Sequence, residues 1–147
     1  MAEAGFYHLT RMDAAAALPA LLGRTLAAGE RAVVVCRNDA QLAALDASLW
    51  QARQPDWLPH GTKATPHPHW QPIFLTTEDE NPAGAAFLFR LGGAVAEMAP
   101  YKRVFDLFDG ADEAELAAAR ARWRAAKAAG HALTYWKQGE NGWEKAS

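Results

Sequence analysis

The sequence predicts an α/β protein, a three-layer sandwich whose central sheet is mostly parallel. Apolar, strand-like segments alternate along the chain with alanine- and leucine-rich segments of helical periodicity. The segment Arg31–Cys36 contains a continuous apolar run with β-branched residues at its centre, as in strands that a parallel sheet buries on both faces. The 147 residues, half of them hydrophobic, suffice for one core. We therefore expect a single domain over residues 1–147.

The first predicted strand is Phe6–Leu9, and an alanine- and leucine-rich helix follows it. Asp13 suits the N-cap of this helix because its carboxylate can accept hydrogen bonds from free backbone N–H groups, and Gly29 is the stop signal. Pro19 lies well inside the segment, where it removes one backbone donor. We expect it either to kink the helix or to mark an irregular first turn.

The second strand, Arg31–Cys36, leads into a second helix that Asn38 or Asp39 can cap. The apolar side chains at helical spacing in this segment are Leu42, Leu45, Leu49 and Trp50. The following stretch, residues 54–70, contains four prolines, so we predict a loop there.

The second half of the chain continues the same alternation. Three further strands are predicted over Pro72–Thr76, Ala85–Leu91 and Arg103–Phe108. The turn at Asp109 and Gly110 then leads to a long alanine- and arginine-rich helix that starts near Asp112 and ends at Gly130. The last predicted strand is Ala132–Lys137.

Charge and cysteine content narrow the classes of function. The formal net charge of −2 argues against wholesale nucleic-acid binding, which normally requires a basic domain. Cys36 is the one cysteine, so neither a disulfide nor a thiolate zinc site can form within the chain. No apolar stretch is long enough to span a bilayer, and the N-terminus lacks a signal-peptide pattern. We expect a cytoplasmic protein without membrane contact.

The predicted fold resembles nucleotide-binding folds, but it lacks their phosphate-binding loops. The turn after the first strand, residues 8–13, contains no glycine, and neither G-x-G-x-x-G nor G-x-x-x-x-G-K-[ST] occurs in the chain. Without glycine the backbone cannot approach a pyrophosphate closely. We therefore expect no nucleotide cofactor.

Three histidines, His60, His67 and His69, lie close together in the proline-rich loop. Three imidazoles can hold a catalytic zinc, so a small metal-dependent α/β hydrolase is one alternative. The segment of His67 and His69 offers no rigid element and no acid close by in sequence to orient such ligands, which favours a surface loop without metal, with His60 hydrogen-bonded in its own turn. Ser48 lies in a helix and Cys36 in a buried strand, so we predict no catalytic residue.

The last predicted helix presents a mixed cationic and aromatic stripe. At helical spacing its members are Leu116, Arg120, Trp123 and Lys127, with Arg124 at the margin. Guanidinium groups bind carboxylates and the indole can contact an apolar group, so this surface suits an acidic peptide with an apolar end. A solvated face without a ligand is the simpler interpretation of the pattern alone. A third interpretation is direct binding of single-stranded DNA, with Trp123 stacking on bases and Arg120 neutralising phosphate.

Tryptophan is frequent, with six in the chain, and it is a usual anchor of protein–protein interfaces. Trp50, Trp57, Leu58 and Pro59 could form an apolar ledge at the end of the second helix. The alternative is that they cover one end of the sheet.

Several short motifs occur in a specific order. They are Phe6-Tyr7-x-Leu9, Leu45-Asp46-x-x-Leu49-Trp50, Trp57-Leu58-Pro59-His60, Gln71-Pro72-Ile73, Asp106-Leu107-Phe108, Ala119-Arg120-x-Arg122-Trp123-Arg124, Gly130 and Tyr135-Trp136-Lys137. In this order the chain resembles the chi subunit family of the bacterial DNA polymerase III holoenzyme. The similarity runs from Phe6 to about Trp143.

The resemblance implies a non-catalytic accessory subunit of the clamp loader complex in DNA replication. Such a subunit pairs with the psi subunit and binds the acidic, phenylalanine-terminated tail of single-stranded DNA-binding protein, so that it contacts nucleic acid only indirectly. The family's tail-binding arginine falls on Arg120, the aromatic residue on Trp123 and a further basic residue on Arg124.

One basic position of the family's pocket falls on Leu116, and Lys127 can supply a cation in its place. We expect Phe108 to help wall the pocket for the terminal phenylalanine. For psi binding we expect the ledge of Trp50, Trp57, Leu58 and Pro59.

Overall fold

The computed structural model describes residues 2–51, 58–67, 70–140 and 142–146. The helices and strands in these ranges are β1 (Glu3–Leu9), α1 (Ala14–Ala27), β2 (Ala32–Val35), α2 (Asp39–Gln51), β3 (Ile73–Thr76), β4 (Phe87–Leu91), β5 (Arg103–Asp109), α3 (Glu113–Ala128), β6 (Ala132–Gly139) and β7 (Gly142–Lys145). No helix in the described ranges is both long enough and apolar enough to cross a membrane.

The strands join one sheet in the order β3-β2-β4-β5-β1-β6-β7. Strands β1 to β6 run parallel to one another, and the edge strand β7 is antiparallel to β6. From β1 the chain crosses to β2 in one direction along the sheet, and from β5 it crosses to β6 in the other. Because such crossovers are right-handed, α1 and α3 lie on opposite faces. The predicted α/β sandwich with a mostly parallel sheet is confirmed.

Each face of the sheet has its own core. On one face α1 and α2 pack against the sheet, and their buried leucines are Leu18, Leu21, Leu22, Leu45 and Leu49. On the other face α3 covers only part of the sheet, through Ala119 and Ala126. The rest is covered by the connection between β4 and β5, whose buried hydrophobic residues are Ala94, Ala96, Met98 and Tyr101. An irregular segment therefore takes the place of a fourth covering helix.

The predicted helix boundaries are confirmed by their capping interactions. Asp13, Asn38 and Asp112 each accept a hydrogen bond of at most 2.9 Å from a backbone N–H two or three residues later. Gly29 and Gly130 adopt φ angles of +78° and +87°, a conformation that favours glycine after a helix C-terminus.

Pro19 lies inside a continuous α1, at the sixth helical position, rather than in an irregular first turn. Since Pro19 has no N–H, the carbonyl of Ala15 has no partner one turn later in the helix. The hydroxyl of Ser48 on α2 donates to that carbonyl at 3.1 Å. The contact replaces the missing hydrogen bond and joins the two helices of this layer.

The structure differs from the prediction mainly near the C-terminus. Strand β7 (Gly142–Lys145) was not predicted, and β6 runs on to Gly139. Strand β7 is a short edge strand with mostly exposed side chains, so it lacks the apolar run that identifies a buried strand.

Candidate functional site

Helix α3 carries a row of cations on its outer surface. Arg120, Arg124 and Lys127 are exposed, and none of their side chains forms an ion pair or hydrogen bond with another described residue. The acidic residues of the helix, Glu113 and Glu115, lie in its first turn, where their negative charges interact favourably with the positive end of the helix dipole. The positive field along the rest of the helix is therefore available to an anionic ligand.

Trp123 attaches this helix to the sheet. Its indole meets the ring of Phe6 edge-on at 5.3 Å between centroids and the ring of Tyr135 at 5.8 Å. Trp123 is half-buried, so it both packs and retains accessible surface beside the cations. Such edge-to-face contacts stabilise the helix position beyond the area that they bury.

Phe108 lies beneath the candidate surface rather than on it. It is 1% exposed, with the His8 ring 5.3 Å away and the Tyr135 ring 6.1 Å away. Phe108 therefore packs beneath these two rings. Leu116 is half-buried and packs against the core on this face of the sheet.

His8 and Tyr135 belong to the same surface and were not predicted from the sequence. The Nδ1 atom of His8 lies 2.8 Å from the hydroxyl of Tyr135. Burial, together with the positive charges of Lys137 and Arg120, lowers the pKa of His8 from its ordinary value, and Asp109 opposes that shift. Strand alternation indicates which face each residue occupies, but the contact itself depends on β1 and β6 being neighbours, which the sequence does not reveal.

Arg122 lies in the same basic run of α3, but its side chain pairs with an acidic residue of the sheet instead of facing solvent. Its Nε and Nη2 atoms donate to the two carboxylate oxygens of Asp106 on β5, both at 2.8 Å. Arg90 on β4 donates to the same carboxylate at 2.9 Å and to the carbonyl of Ala96 at 3.1 Å. Burial lowers the pKa of Arg90, and Asp106 opposes that shift. Arg122 therefore fixes the helix on the sheet and is not available to a ligand.

The predicted apolar ledge is partly visible. Trp50 at the end of α2 is 67% exposed and contacts the ring of His60 at 4.7 Å. Pro59 is half-buried, whereas Leu58 is 3% exposed and belongs to the core under α2. Trp57 lies outside the described residues. Trp70 is also exposed, at 63%.

The histidine loop does not assemble as a metal site in the described part of the chain. His60 is buried and uses both ring nitrogens, one with the carbonyl of Leu58 and one with the carboxylate of Asp46, each at 2.8 Å. The predicted hydrogen bond of His60 within its own turn is thus confirmed. His67 stacks on Trp70 at 4.1 Å. His69 lies outside the described residues, and among the others no group of three metal-ligating side chains occurs.

The carboxyl ends of the strands, where open α/β sheets bind ligands, are crowded by charged side chains. A cavity of about 160 Å³ there is lined by Asp13, Arg37, Asp109 and Glu115, among others. Arg37 donates to the carbonyl of Gly92 at 3.1 Å, and Glu115 accepts from the N–H of Asp109 at 3.1 Å. Three carboxylates at this position are unfavourable for a phosphate.

Comparison with known proteins identifies the family to which the chain is similar. Residues 1–134 match the family model described as DNA polymerase III chi subunit, HolC. Over 88 residues the chain is 28% identical to a protein of Rickettsia prowazekii (strain Madrid E) named probable DNA polymerase III subunit chi. This alignment covers 60% of the chain and 53% of the relative, so the chain spans about half the length of the relative that it matches. Because the family model matches most of its residues, the chain belongs to the DNA polymerase III chi subunit family.

Proposed function

We propose that this chain is a non-catalytic accessory subunit that links single-stranded DNA-binding protein to the clamp loader complex of DNA polymerase III. Membership in the chi family supports the role in DNA replication. The observation that carries the binding proposal is the exposed set Arg120, Arg124 and Lys127, whose side chains have no partner among the described residues, beside the half-buried Trp123. In this proposal the psi subunit is a second partner, and single-stranded DNA is contacted only through its binding protein.

The ligand proposed for α3 is the acidic C-terminal tail of single-stranded DNA-binding protein. A peptide that ends in aspartates, a proline and a phenylalanine carries several carboxylates, including its own terminus, beside one aromatic ring. Arg120 binds the terminal carboxylate through a bidentate pair, since its guanidinium is exposed and has no competing acid among the described residues. Arg124 and Lys127 add longer-range attraction that steers the peptide to the helix.

The terminal phenylalanine packs against the rings that flank Arg120. Trp123 and Tyr135 are both half-buried and meet at 5.8 Å, so they offer an aromatic surface on a rigid support. Phe108 holds the Tyr135 ring from below. Leu116 contributes apolar surface at a position where the family has a cation. The affinity for the tail peptide should therefore depend more on its terminal phenylalanine and less on its charge.

The psi subunit is proposed to bind the opposite layer of the molecule. Trp50 is the largest exposed apolar side chain on α2, with Pro59 half-buried nearby along the chain. Burying an exposed tryptophan in a desolvated interface typically contributes a few kcal/mol. Leu58 supports this surface from the core, and the proposal includes Trp57.

Calorimetric titration with the tail peptide tests the function. Arg120→Ala is expected to cost about 2 kcal/mol, roughly thirty-fold in Kd, because it leaves a carboxylate unpaired, while Lys127→Ala costs a few tenths. The matched control is Arg24→Ala, which removes an exposed helical arginine from α1 on the other face of the sheet. Unchanged affinity in Arg120→Ala, or equal affinity for a peptide without the phenylalanine, would contradict the proposal.

The two alternatives are tested with the same protein. Wild type and Arg120→Ala are each titrated with a single-stranded oligonucleotide. If the oligonucleotide binds wild type and binds Arg120→Ala more weakly, direct DNA binding is indicated instead. Stoichiometric zinc, together with hydrolytic activity that His67→Ala abolishes, would indicate a metal-dependent hydrolase.

A further inference from the structure

The imidazole of His8 is held in one position by three elements. Its Nδ1 atom lies 2.8 Å from the Tyr135 hydroxyl on β6, and its ring lies 5.3 Å from that of Phe108 on β5. On the third side is Gly110, where a Cβ atom would overlap Nε2 and Cδ2 of the imidazole. The His8 ring can occupy this position only because residue 110 has no side chain.

The charges that face His8 are mainly positive. Arg120 approaches from α3 and Lys137 from β6, while Asp109 on β5 is the acid that faces it. Lys137 lies in register with Glu144 on β7. In the free protein these cations and partial burial favour the neutral imidazole. A bound carboxylate at Arg120 would reverse that balance, because it adds negative charge to the same small region.

We infer that His8 and Tyr135 form a proton-coupled recognition pair, in which an acidic ligand bound at Arg120 is held more tightly when His8 takes up a proton. This inference rests on the proposed function, because it concerns the same ligand and the same surface. It assigns recognition to two residues beyond the cationic stripe of α3.

The hydrogen bond between the two side chains provides the mechanism. With the imidazole proton on Nε2, Nδ1 accepts from the Tyr135 hydroxyl, and that hydroxyl proton is occupied. When Nδ1 takes a proton from solvent, it becomes the donor and the Tyr135 oxygen becomes the acceptor. The Tyr135 hydroxyl proton is then free to donate to a ligand carboxylate. Protonation therefore adds one positive charge and turns one donor toward the ligand.

The pH range of the effect follows from the groups involved. Aspartate side chains and a peptide C-terminus stay ionised above about pH 5, so the peptide keeps its charge. The pKa of His8 lies below its ordinary value in the free protein and rises when carboxylates bind. Binding thus takes up a proton, and affinity rises as the pH falls from about 8 to about 6.

Calorimetry with the acidic, phenylalanine-terminated peptide at about pH 8, 7 and 6 tests the inference. The expected result for wild type is a Kd about threefold to tenfold lower at pH 6 than at pH 8, with proton uptake detected from the dependence of the heat on the buffer. His8→Gln keeps a hydrogen-bonding side chain but cannot take up the proton, so its affinity for the peptide should not rise as the pH falls. Tyr135→Phe should lose most of the gain as well. His67→Gln, at an exposed histidine distant along the chain, should keep it.

Nuclear magnetic resonance of wild type provides a readout that needs no variant. The titration midpoint of the His8 ring should move to higher pH when the peptide is added. Gly110→Ala, which displaces the ring without changing charge, should abolish both that shift and the pH dependence of affinity. An equal pH dependence in wild type and His8→Gln, or an unmoved midpoint, would overturn the inference. If wild type binds no peptide at any pH, the proposed function itself fails.

Discussion

Asp106 lies where strand β5 passes beneath helix α3, and it accepts hydrogen bonds from two arginines. Its side chain is 1% exposed, whereas those of Arg90 and Arg122 are 8% and 21% exposed. The carboxylate is the buried counter-charge of both guanidinium groups, so its loss leaves two cations close together in a poorly solvated region. The orientation of the exposed cations on α3 depends on this contact, because Arg122 belongs to the same helix.

We expect Asp106→Asn to lower the free energy of unfolding by about 3–5 kcal/mol, since it keeps the shape and removes the counter-charge. Urea denaturation of wild type and variant measures the difference. Asp39→Asn, at an exposed carboxylate in the first turn of α2, is the control and should cost about 0.5 kcal/mol or less. A loss below about 1 kcal/mol for Asp106→Asn would mean that the two arginines find other partners.

Cys36 gives a second test at this scale. The thiol is 1% exposed, and burial raises its pKa to about 12. At pH 8 roughly one thiol in ten thousand is then ionised, so a thiol-specific reagent should leave the folded protein unmodified. In concentrated guanidinium chloride the same reagent should modify one thiol per chain. Equally fast modification of the folded protein would show that the segment around Cys36, at the end of β2, opens readily.

Residue-level prediction from the sequence succeeded where the relevant spacing is local. The stripe of Arg120 and Trp123 follows from helical periodicity, and the structure places both on α3 as expected. The partner of Arg122 could not be predicted in this way, because Asp106 lies 16 residues earlier on another element. The contact of His8 with Tyr135 spans 127 residues and depends on the order of strands in the sheet.

At the scale of elements, prediction followed the capping residues. Asp13, Asn38 and Asp112 indicated the helix starts because a side-chain acceptor there satisfies free N–H groups, whatever the tertiary structure. The buried parallel strands were recognised by their apolar runs. Strand β7 (Gly142–Lys145) has no such run, and it is stabilised by pairing with β6 along one edge only. Elements that depend on a neighbour for their formation are the ones that the sequence pattern misses.

The link between α1 and α2 leads to a prediction on helix packing. Ser48→Ala should lower the free energy of unfolding by about 1 kcal/mol, because the carbonyl of Ala15 loses its donor. In a Pro19→Ala background the same change should cost less, since the substituted residue supplies the backbone N–H that proline lacks. A double-mutant cycle measured by urea denaturation yields the coupling energy. Equal costs in the two backgrounds would mean that the hydroxyl contributes nothing at that carbonyl.

At the scale of the whole molecule, the sheet separates two surfaces of different character. Helix α3, with its exposed cations, covers one face, and α2, with the exposed Trp50, lies in the layer on the other. The formal net charge of −2 therefore conceals a local positive field on α3. In the proposed function, this arrangement lets the chain hold an acidic peptide and an apolar partner at the same time without competition.

We expect the tail peptide to bind the chain alone and the complex of the chain with psi equally well. The two Kd values, measured by calorimetry, should agree within about twofold.

Raising the ionic strength from about 0.05 M to 0.5 M should weaken peptide binding roughly tenfold, because the Debye length falls to a few ångströms. The amount of psi that co-purifies should change little with ionic strength, since apolar burial dominates the proposed psi interface.

Trp50→Ala should weaken the retention of psi and leave the affinity for the peptide unchanged, and Arg120→Ala should do the reverse. Displacement of the peptide by psi would show that both partners use one surface, and loss of both interactions in either variant would show that the two faces are energetically coupled through the sheet.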